Sequence, residues 1–318
     1  MRCVIHGSGG VGGYFGACLA RAGHEVFFIA RGEHLQAIQK DGLSVQSHQG
    51  DFHIENPEAG QTCDPNFNPD LVIVAVKSWQ LRDIKDEIKK YCTPKTWVLP
   101  LQNGVDASDI LAGSLAKETV LGGLTKIFSK IEAPGVINHF TGATYIGFGE
   151  YFREPPFPKA QDNISDHCRN LENLLNSTPG IDAEAFLDIK KELWRKILLF
   201  APTSGIGTIT RTPNGVFREI PETREMLINL IHEIIKIGQA KNVNIAEEDF
   251  NWVISTIDGM APESNSSLFR DIQSNRPSEL HSIHGYLVKE AEQLSVHVPT
   301  LRFIYHSLIP SESLARQA

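Results

Sequence analysis

In the first half of the chain, short continuous runs of hydrophobic residues alternate with segments in which hydrophobic residues recur at helical spacing. Continuous apolar runs at residues 71–76 and 97–99 are typical of strands that are buried on both faces of a parallel sheet. Between these runs, Leu81, Ile84 and Ile88 recur at the spacing of one helix face. Because strands and helices follow one another in this order, the pattern predicts a doubly wound α/β domain.

Beyond residue 180 only the helical spacing remains. The two clearest apolar stripes are Met226, Leu230, Ile234 and Ile237, followed by Leu280, Ile283, Leu287, Ala291 and Leu294. We predict a helix that starts near Glu184 and breaks at Pro202, and a loop at residues 150–159. The predicted fold is therefore an α/β domain at residues 1–182 followed by an all-α domain at residues 183–318.

A glycine-rich turn follows the apolar run at residues 3–5 and precedes a helix of small residues. The turn has the G-x-G-x-x-G pattern and consists of Gly7, Ser8, Gly9, Gly10, Val11 and Gly12. In this pattern the first glycine permits the tight turn, the second lets a pyrophosphate approach, and the third lets the helix pack closely. Since a helix N-terminus also attracts phosphate, these six residues predict a Rossmann-type dinucleotide site.

The residue at the end of the second strand indicates which dinucleotide binds. NAD-preferring domains usually have an acidic residue here, whereas residues 24–30 lead into Arg31. A guanidinium suits the extra 2′-phosphate of NADPH. The alternative is that Arg31 is a solvated loop residue and that Glu33 binds the ribose, although Glu33 lies past Gly32. We therefore predict NADPH as the cofactor.

Composition and charge exclude several classes of protein. The 318 residues, 41% hydrophobic and 21% charged, are typical of a globular protein with two domains, and the net charge of −8 argues against nucleic acid as the partner. The five cysteines have no C-x-x-C spacing, and His281 and His284 lack a third ligand, so no disulfide or metal site is predicted. Since Met1 leads directly into the first strand and no apolar run reaches about 18 residues, we expect a cytoplasmic protein without a signal peptide or membrane span.

Two polar residues follow strands of the predicted sheet. Lys77 comes after residues 71–76, and Asn103 comes after residues 97–99. Ligands of open α/β sheets bind beyond the carboxyl ends of the strands. Lys77 could instead be a solvated helix-entry lysine, and Asn103 could belong to an ordinary Asn-Gly turn. Their shared placement favours a role, because an amide can bind nicotinamide or substrate and an ammonium can bind a carboxylate.

The helical half contains three further candidates, and each has a purely structural explanation beside the functional one. Lys196 lies four residues after Glu192, so the two could form a surface ion pair. Ser267 lies in a pair of serines that could cap a helix. Glu279 lies at a predicted helix start, where it could simply complement the helix dipole.

Taken in order, these residues resemble the ketopantoate reductase family (2-dehydropantoate 2-reductases). The resemblance covers essentially the whole chain and is carried by GSGGVG at 7–12, Arg31, VAVKSWQ at 74–80, LQNGV at 101–105, ELWRK at 192–196, PNG at 213–215, SSL at 266–268 with DI at 271–272, RPSE at 276–279 and IHG at 283–285. It implies a Rossmann domain, a helical domain and an active site in the cleft between them. The implied reaction is NADPH-dependent reduction of a 2-oxo acid, converting ketopantoate to D-pantoate on the route to coenzyme A.

The resemblance also implies a role for each candidate residue. Lys196 matches the lysine that protonates the carbonyl oxygen, and Glu279 matches the carboxylate that orients this lysine and contacts substrate. The remaining matches are Asn103, Asn214 and Ser267 as substrate-binding residues, Lys77 and Asn103 at the cofactor edge, and Arg31 as the residue that selects NADPH.

The chain departs from the family pattern after Lys196. Phe200 and Ser204 stand where the family commonly has asparagines that face substrate. A phenyl ring has no hydrogen-bonding group, so a different, bulkier 2-oxo acid is a competing substrate hypothesis. A non-catalytic NADPH sensor and a dehydrogenase that works oxidatively with NAD are the competing hypotheses for the activity. Apolar surface at Phe200, Trp252 and the helix from Met226 is compatible with a homodimer.

Overall fold

The structure is a computed structural model, in which residues 1–154 and 164–317 are described. The chain forms two compact units, residues 1–102 with 106–189 and residues 103–105 with 190–318. Residues 155–159 of the predicted loop lie outside the described residues.

The described residues of the first unit form two sheets and five α-helices. The strands are β1 (Arg2–His6), β2 (Glu25–Ile29), β3 (Leu43–Ser47), β4 (Phe52–Ile54), β5 (Glu58–Gly60), β6 (Leu71–Val74), β7 (Trp97–Pro100), β8 (Leu121–Ala133), β9 (Val136–Glu150) and β10 (Asp182–Ala185). The helices are α1 (Gly10–Arg21), α2 (Gly32–Asp41), α3 (Leu81–Ile88), α4 (Ala107–Leu111) and α5 (Asp166–Asn176).

The main sheet is parallel throughout and has the strand order β5-β2-β1-β6-β7. Successive residues of β1 face opposite cores, as the alternation of a strand requires. Ile5 packs in the core that contains Phe15 of α1, whereas Val4 packs in the core that contains Leu81 of α3. Since Val4 and Ile5 are both fully buried, helices cover the two faces of this sheet. The predicted doubly wound domain is confirmed.

A second sheet, separate from the main one, extends this unit. Its order is β10-β9-β3-β4, and β8 pairs antiparallel with β9. Strand β9 is a single strand of 15 residues, whose first half pairs with β3 and whose second half pairs with β10. The predicted helix start near Glu184 is wrong, because Glu184 lies in β10 and the helix begins at Ile189. The boundary predicted near residue 182 therefore falls inside the first unit.

The second unit is helical. Its helices are α6 (Ile189–Thr210, which starts at the end of the first unit), α7 (Asn214–Glu219), α8 (Pro221–Ala240), α9 (Glu247–Asp258), α10 (Ser267–Gln273), α11 (Tyr286–Gln293) and α12 (Pro299–Ala315), with a π-helical turn at His281–Gly285 before α11. The predicted apolar stripe of α8 is confirmed, because Leu230, Ile234 and Ile237 are fully buried. In the ranges that the structure describes, no helix has the length and apolarity needed to cross a membrane.

The predicted break at Pro202 is wrong, because α6 continues through this residue. Proline removes one backbone N–H from the helix ladder. The Thr203 hydroxyl donates to the carbonyl oxygen of Leu199 at 2.8 Å within the same turn. The neighbours Leu198 and Ala201 are fully buried, so tertiary packing outweighs the local preference of proline. Lys196 therefore lies within a continuous helix and not near an irregular segment.

Candidate active site

The glycine turn has the geometry that its sequence predicts. Gly7 has a φ of +103°, which favours glycine, and a Cβ on it would lie 2.7 Å from the backbone nitrogen of Val76. A Cβ on Gly12 would lie 2.2 Å from the carbonyl oxygen of Gly7, so α1 packs tightly against the turn. A Cβ on Gly9 would meet nothing within 4 Å. The turn is thus closed on its protein side and open at Gly9, as a dinucleotide pyrophosphate requires.

Ser8 fixes this turn to the end of β2. Its backbone N–H and its hydroxyl both donate to the carbonyl oxygen of Ile29, each at 3.0 Å, and the side chain is buried. The buried Ser8 side chain therefore holds the turn against the end of β2. The N–H groups at the start of α1, which helix geometry leaves without intrahelical partners, are the donors suited to phosphate.

Arg31 lies at the position where the sequence predicts the cofactor ribose. It is the exposed N-cap residue of α2 and lies two residues after the end of β2. Glu33, the competing candidate for binding the ribose, lies in the first turn of α2 and is also exposed. Arg31 is therefore nearer than Glu33 to the end of β2, where the ribose of a bound dinucleotide is expected.

His34 joins the glycine turn to the hairpin of β8 and β9 and was not identified from the sequence. Its Nδ1 accepts from the backbone N–H of Gly135 at 3.0 Å, so its Nε2 carries the proton and donates to the carbonyl oxygen of Ser8 at 2.8 Å. Gly135 lies in the turn between β8 and β9. Neutral His34 thus connects the glycine turn, α2 and this hairpin.

We predict that His34 supports cofactor binding through the Ser8 bond. His34→Gln can retain a donor for Ser8, whereas His34→Asn can retain only the acceptor for Gly135. Losing one neutral hydrogen bond costs about 0.5–1.5 kcal/mol, so KM for NADPH should rise roughly 2- to 10-fold in His34→Asn and less in His34→Gln. His53→Gln, which alters an exposed histidine bonded to Ser44, is the control. Equal KM values in all three variants would contradict this role.

The pH dependence of the same bonds can also be predicted. Burial lowers the pKa of His34 below its ordinary value of 6.5, although its bond to Ser8 acts in the opposite direction. Because the folded-state pKa is the lower one, the contribution of neutral His34 is complete above pH 6.5 and is lost as the pH falls through the folded-state pKa. NADPH affinity should therefore weaken in acid, and His34→Gln should flatten that dependence. Identical pH profiles of NADPH affinity in the unmodified protein and in His34→Gln would contradict this prediction.

Lys77 lies at the carboxyl end of β6, as predicted. It is exposed, and its ammonium lies 5.8 Å from the centre of the Trp79 ring. Gln102, a residue missed by the sequence, holds this strand end, because its amide donates to the carbonyl oxygens of Val74 and Val76 at 2.9 and 3.0 Å. The LQNGV block contained the signal for Gln102, but only Asn103 was assigned from it.

Asn103 and Glu279 are brought together in the second unit. The Nδ2 of Asn103 donates to Oε2 of Glu279 at 2.9 Å across a sequence separation of 176 residues. Residues 103–105 are grouped with the helical unit, and both side chains are half-buried. The structure therefore places the Asn103 amide beside the Glu279 carboxylate, which is predicted to contact substrate. A polar ligand could bind both side chains there.

The two residues before Lys196 anchor its helix. Trp194 is buried and packs so closely on α8 that a Cβ on Gly238 would lie 3.0 Å from its ring. Arg195 lies 3.2 Å from Asp249 of α9 and also pairs with Glu192. Glu192, which the sequence suggests as an ion-pair partner of Lys196, thus forms an ion pair with Arg195. Lys196 itself is half-buried, and its helix is fixed on two sides by these anchors.

Asn214 and Ser267 lie next to capping residues of the second unit. The Nδ2 of Asn214 donates to Oγ of Ser264 at 2.9 Å, which ties the start of α7 to the segment that precedes α10. The cap of α10 is Ser266, whose Oγ accepts from the Phe269 N–H at 3.0 Å. Ser267 is the first helical residue and is half-buried.

The two residues that depart from the family pattern have different environments. Ser204 is fully buried, and its hydroxyl donates within α6 to the carbonyl oxygen of Ala201 at 3.2 Å. Phe200 is half-buried and lies one helical turn after Lys196. Residues at this spacing share a helix face. Of Phe200 and Ser204, Phe200 is therefore the residue that can contact a ligand bound at Lys196.

His281 and His284 have separate partners. His284 is fully buried, and its Nε2 donates to the carbonyl oxygen of Ala201 at 2.9 Å, while burial lowers its pKa to about 4. His281 bonds instead to the Tyr305 hydroxyl at 2.9 Å. Within residues 1–154 and 164–317, no group of three potential ligands could hold a metal ion.

Comparison with known proteins gives matches along both units. The family model described as "Ketopantoate reductase PanE/ApbA" matches residues 3–151, and the one described as "Ketopantoate reductase PanE/ApbA C terminal" matches residues 188–312. Among curated relatives, the uncharacterized oxidoreductase YkpB of Bacillus subtilis strain 168 is 30% identical over 316 residues, which cover 97% of this chain and 98% of that protein.

Two solved structures share the fold. The PanE/ApbA family ketopantoate reductase from Ralstonia eutropha JMP134 has a TM-score of 0.85 at 26% identity, covering 99% of this chain and 100% of the other. A D-mandelate dehydrogenase, solved with NADH and anilino(oxo)acetate, has a TM-score of 0.84 and covers 99% of both chains, and at 22% identity this likeness concerns the fold alone. The protein described above therefore belongs to the ketopantoate reductase family and is an oxidoreductase with a nicotinamide cofactor and a small-molecule substrate.

Proposed function

We propose that the protein uses NADPH to reduce a 2-oxo acid, and that ketopantoate is this acid, with D-pantoate as product in coenzyme A biosynthesis. The observation that carries the proposal is the hydrogen bond between Asn103 and Glu279. It joins two residues that the family resemblance assigns to substrate, although they lie in distant parts of the sequence. Lys196, the third such residue, lies on the well-anchored helix α6 of the same unit.

The residues present fit a dinucleotide. The open space at Gly9 would admit the pyrophosphate, the start of α1 would bind it, and Arg31 would bind a 2′-phosphate. When bound, the nicotinamide supplies the hydride. Lys77 at the end of β6 provides a positive charge for a ligand carboxylate or phosphate.

The chain's own residues supply the proton and the orientation. The Lys196 ammonium donates a proton to the oxygen of the 2-oxo group as negative charge develops there, which general acid catalysis requires. Glu279 orients the lysine and binds a substrate hydroxyl, and Asn103 fixes Glu279 through the bond described above. Asn214 and Ser267 hold the remaining polar groups of substrate.

Product analysis tests this proposal. Purified protein incubated with ketopantoate and NADPH should yield D-pantoate and one NADP⁺ for each molecule formed, as identified by chiral chromatography. Protein that binds NADPH but gives no product would contradict ketopantoate reduction and favour the sensor hypothesis. Product formation only with NAD and a hydroxy acid would favour the oxidative dehydrogenase.

A second candidate is the reduction of a bulkier 2-oxo acid, and Phe200 favours it. A phenyl ring one turn after Lys196 offers an apolar surface where the family commonly has an amide. A matching hydrophobic contact is worth about 1–3 kcal/mol in substrate discrimination.

The variant Phe200→Asn distinguishes these two substrates. If Phe200 selects an apolar side chain, the change should lower kcat/KM for the bulkier acid about 10-fold or more and raise it for ketopantoate. Phe303→Asn, which alters an exposed phenylalanine of α12, should leave both values unchanged. A parallel fall for all acids would show that Phe200 only supports packing.

A further inference from the structure

Ser278, the residue before Glu279, is held by the last helix of the chain. Its backbone N–H donates to both carboxylate oxygens of Glu312, each at 3.1 Å, and its hydroxyl donates to Oε2 of Glu312 at 2.5 Å. Its carbonyl oxygen accepts from Nη2 of Arg316 at 3.0 Å. Ser278 is fully buried, so all its polar groups are bonded within the protein.

Glu312 is a buried charge that is satisfied on several sides. It is fully buried on α12, and its Oε1 lies 2.7 Å from Nε of Arg316. A buried carboxylate is costly unless its lone pairs are all used. Here the donors come from Ser278 and Arg316, so the carboxylate has its full set only while Ser278 is in this position.

The chain after Glu279 is also fixed. The carbonyl oxygen of Glu279 accepts from the N–H of Ile283 at 3.0 Å, and the N–H of Leu280 donates to the Ser278 hydroxyl at 3.2 Å. The π-helical turn at His281–Gly285 follows, a feature that is common at functional sites. The backbone of Glu279 is therefore held on both sides while its carboxylate meets Asn103.

We propose that Glu312 and Arg316 are positioning residues that set the carboxylate of Glu279 for the reaction. Nothing in the family resemblance assigns a role to either residue. The proposal rests on the proposed function, because it requires that Glu279 acts on the 2-oxo acid. In this account the C-terminal helix is part of the machinery of the site, although it contributes no side chain that touches substrate.

A double-mutant cycle tests the proposal. Glu312→Gln replaces one of the two acceptor oxygens by an amide nitrogen, which donates and cannot accept from Ser278. Because small misplacements of a reacting group cost up to about 100-fold, kcat/KM for ketopantoate, or for the 2-oxo acid turned over fastest, should fall about 10- to 100-fold. The dissociation constant of NADPH should stay unchanged. In the Glu279→Gln background, the same substitution should have no further effect.

The control breaks a different ion pair of the same helix. Glu292→Gln removes the exposed partner of Arg302 of α12, and its kcat/KM should equal that of the unmodified protein. Should Glu312→Gln fail to fold, Ser278→Ala serves in the same cycle, since it removes the hydroxyl and leaves the Glu312–Arg316 pair in place.

Three outcomes would overturn the proposal. An unchanged kcat/KM in Glu312→Gln would show that the contact does not matter for the reaction. An equal loss in both backgrounds would show that Glu312 only stabilises the helix. If Glu279→Gln itself retained full activity, the assignment of Glu279 would fail, and this result identifies the failure of the proposed function separately.

Discussion

Lys196→Ala is expected to lower kcat for the 2-oxo acid about 100- to 10,000-fold. A positioned general acid contributes this range, because without it the developing alkoxide must take its proton from water. Trp194 and Arg195 anchor the helix independently of the Lys196 side chain, so the fold should persist. Steady-state kinetics, with circular dichroism as the folding check, measure the effect.

The matched control for this loss is Lys236→Ala. Lys236 is an exposed lysine on α8 of the same unit, and its removal should leave kcat unchanged. The affinity for NADPH should stay the same in both variants. Activity retained in Lys196→Ala would contradict the assignment of the proton donor.

Arg31→Ala is expected to weaken NADPH binding about 10- to 100-fold and to leave NADH binding nearly unchanged. A hydrogen bond to a charged group contributes about 1.5–3 kcal/mol, and only NADPH carries the 2′-phosphate that Arg31 would bind. KM values for the two cofactors, measured at constant ionic strength, test this difference. Salt must be fixed because the contact is exposed and is therefore screened.

Arg82→Ala is the control for the cofactor prediction. Arg82 is exposed on α3 of the same unit, so its loss changes the net charge equally without touching the end of β2. If both arginine variants weakened NADPH alike, a general field effect would explain the result. If Arg31→Ala affected NADH as strongly as NADPH, the 2′-phosphate assignment would be wrong.

The elements that sequence could predict are those whose signals are local. The glycine turn was predicted because Gly7 and Gly12 have steric requirements that few other residues meet. The fully buried run of β6 and the apolar stripe of α8 were predicted because their burial leaves a regular spacing of apolar residues. These signals define the α/β and helical parts and the turn suited to the cofactor.

The parts that sequence did not predict depend on distant partners. Strand β10 has only four residues and exists through pairing with β9. Pro202 stays helical because of the packing around α6. In the candidate site, His34 meets Gly135, and Ser278 meets Glu312 over 34 residues. No spacing rule identifies such contacts, since each depends on how separate elements pack.

The central claim is that this protein reduces a 2-oxo acid with NADPH. The most direct measurement is NADPH oxidation, followed by absorbance, with ketopantoate, pyruvate and several bulkier 2-oxo acids under the same conditions. We predict rapid turnover with ketopantoate, or with one bulkier acid if Phe200 selects it, and loss of that turnover in Lys196→Ala. Tight NADPH binding without oxidation by any of these acids would contradict the claim.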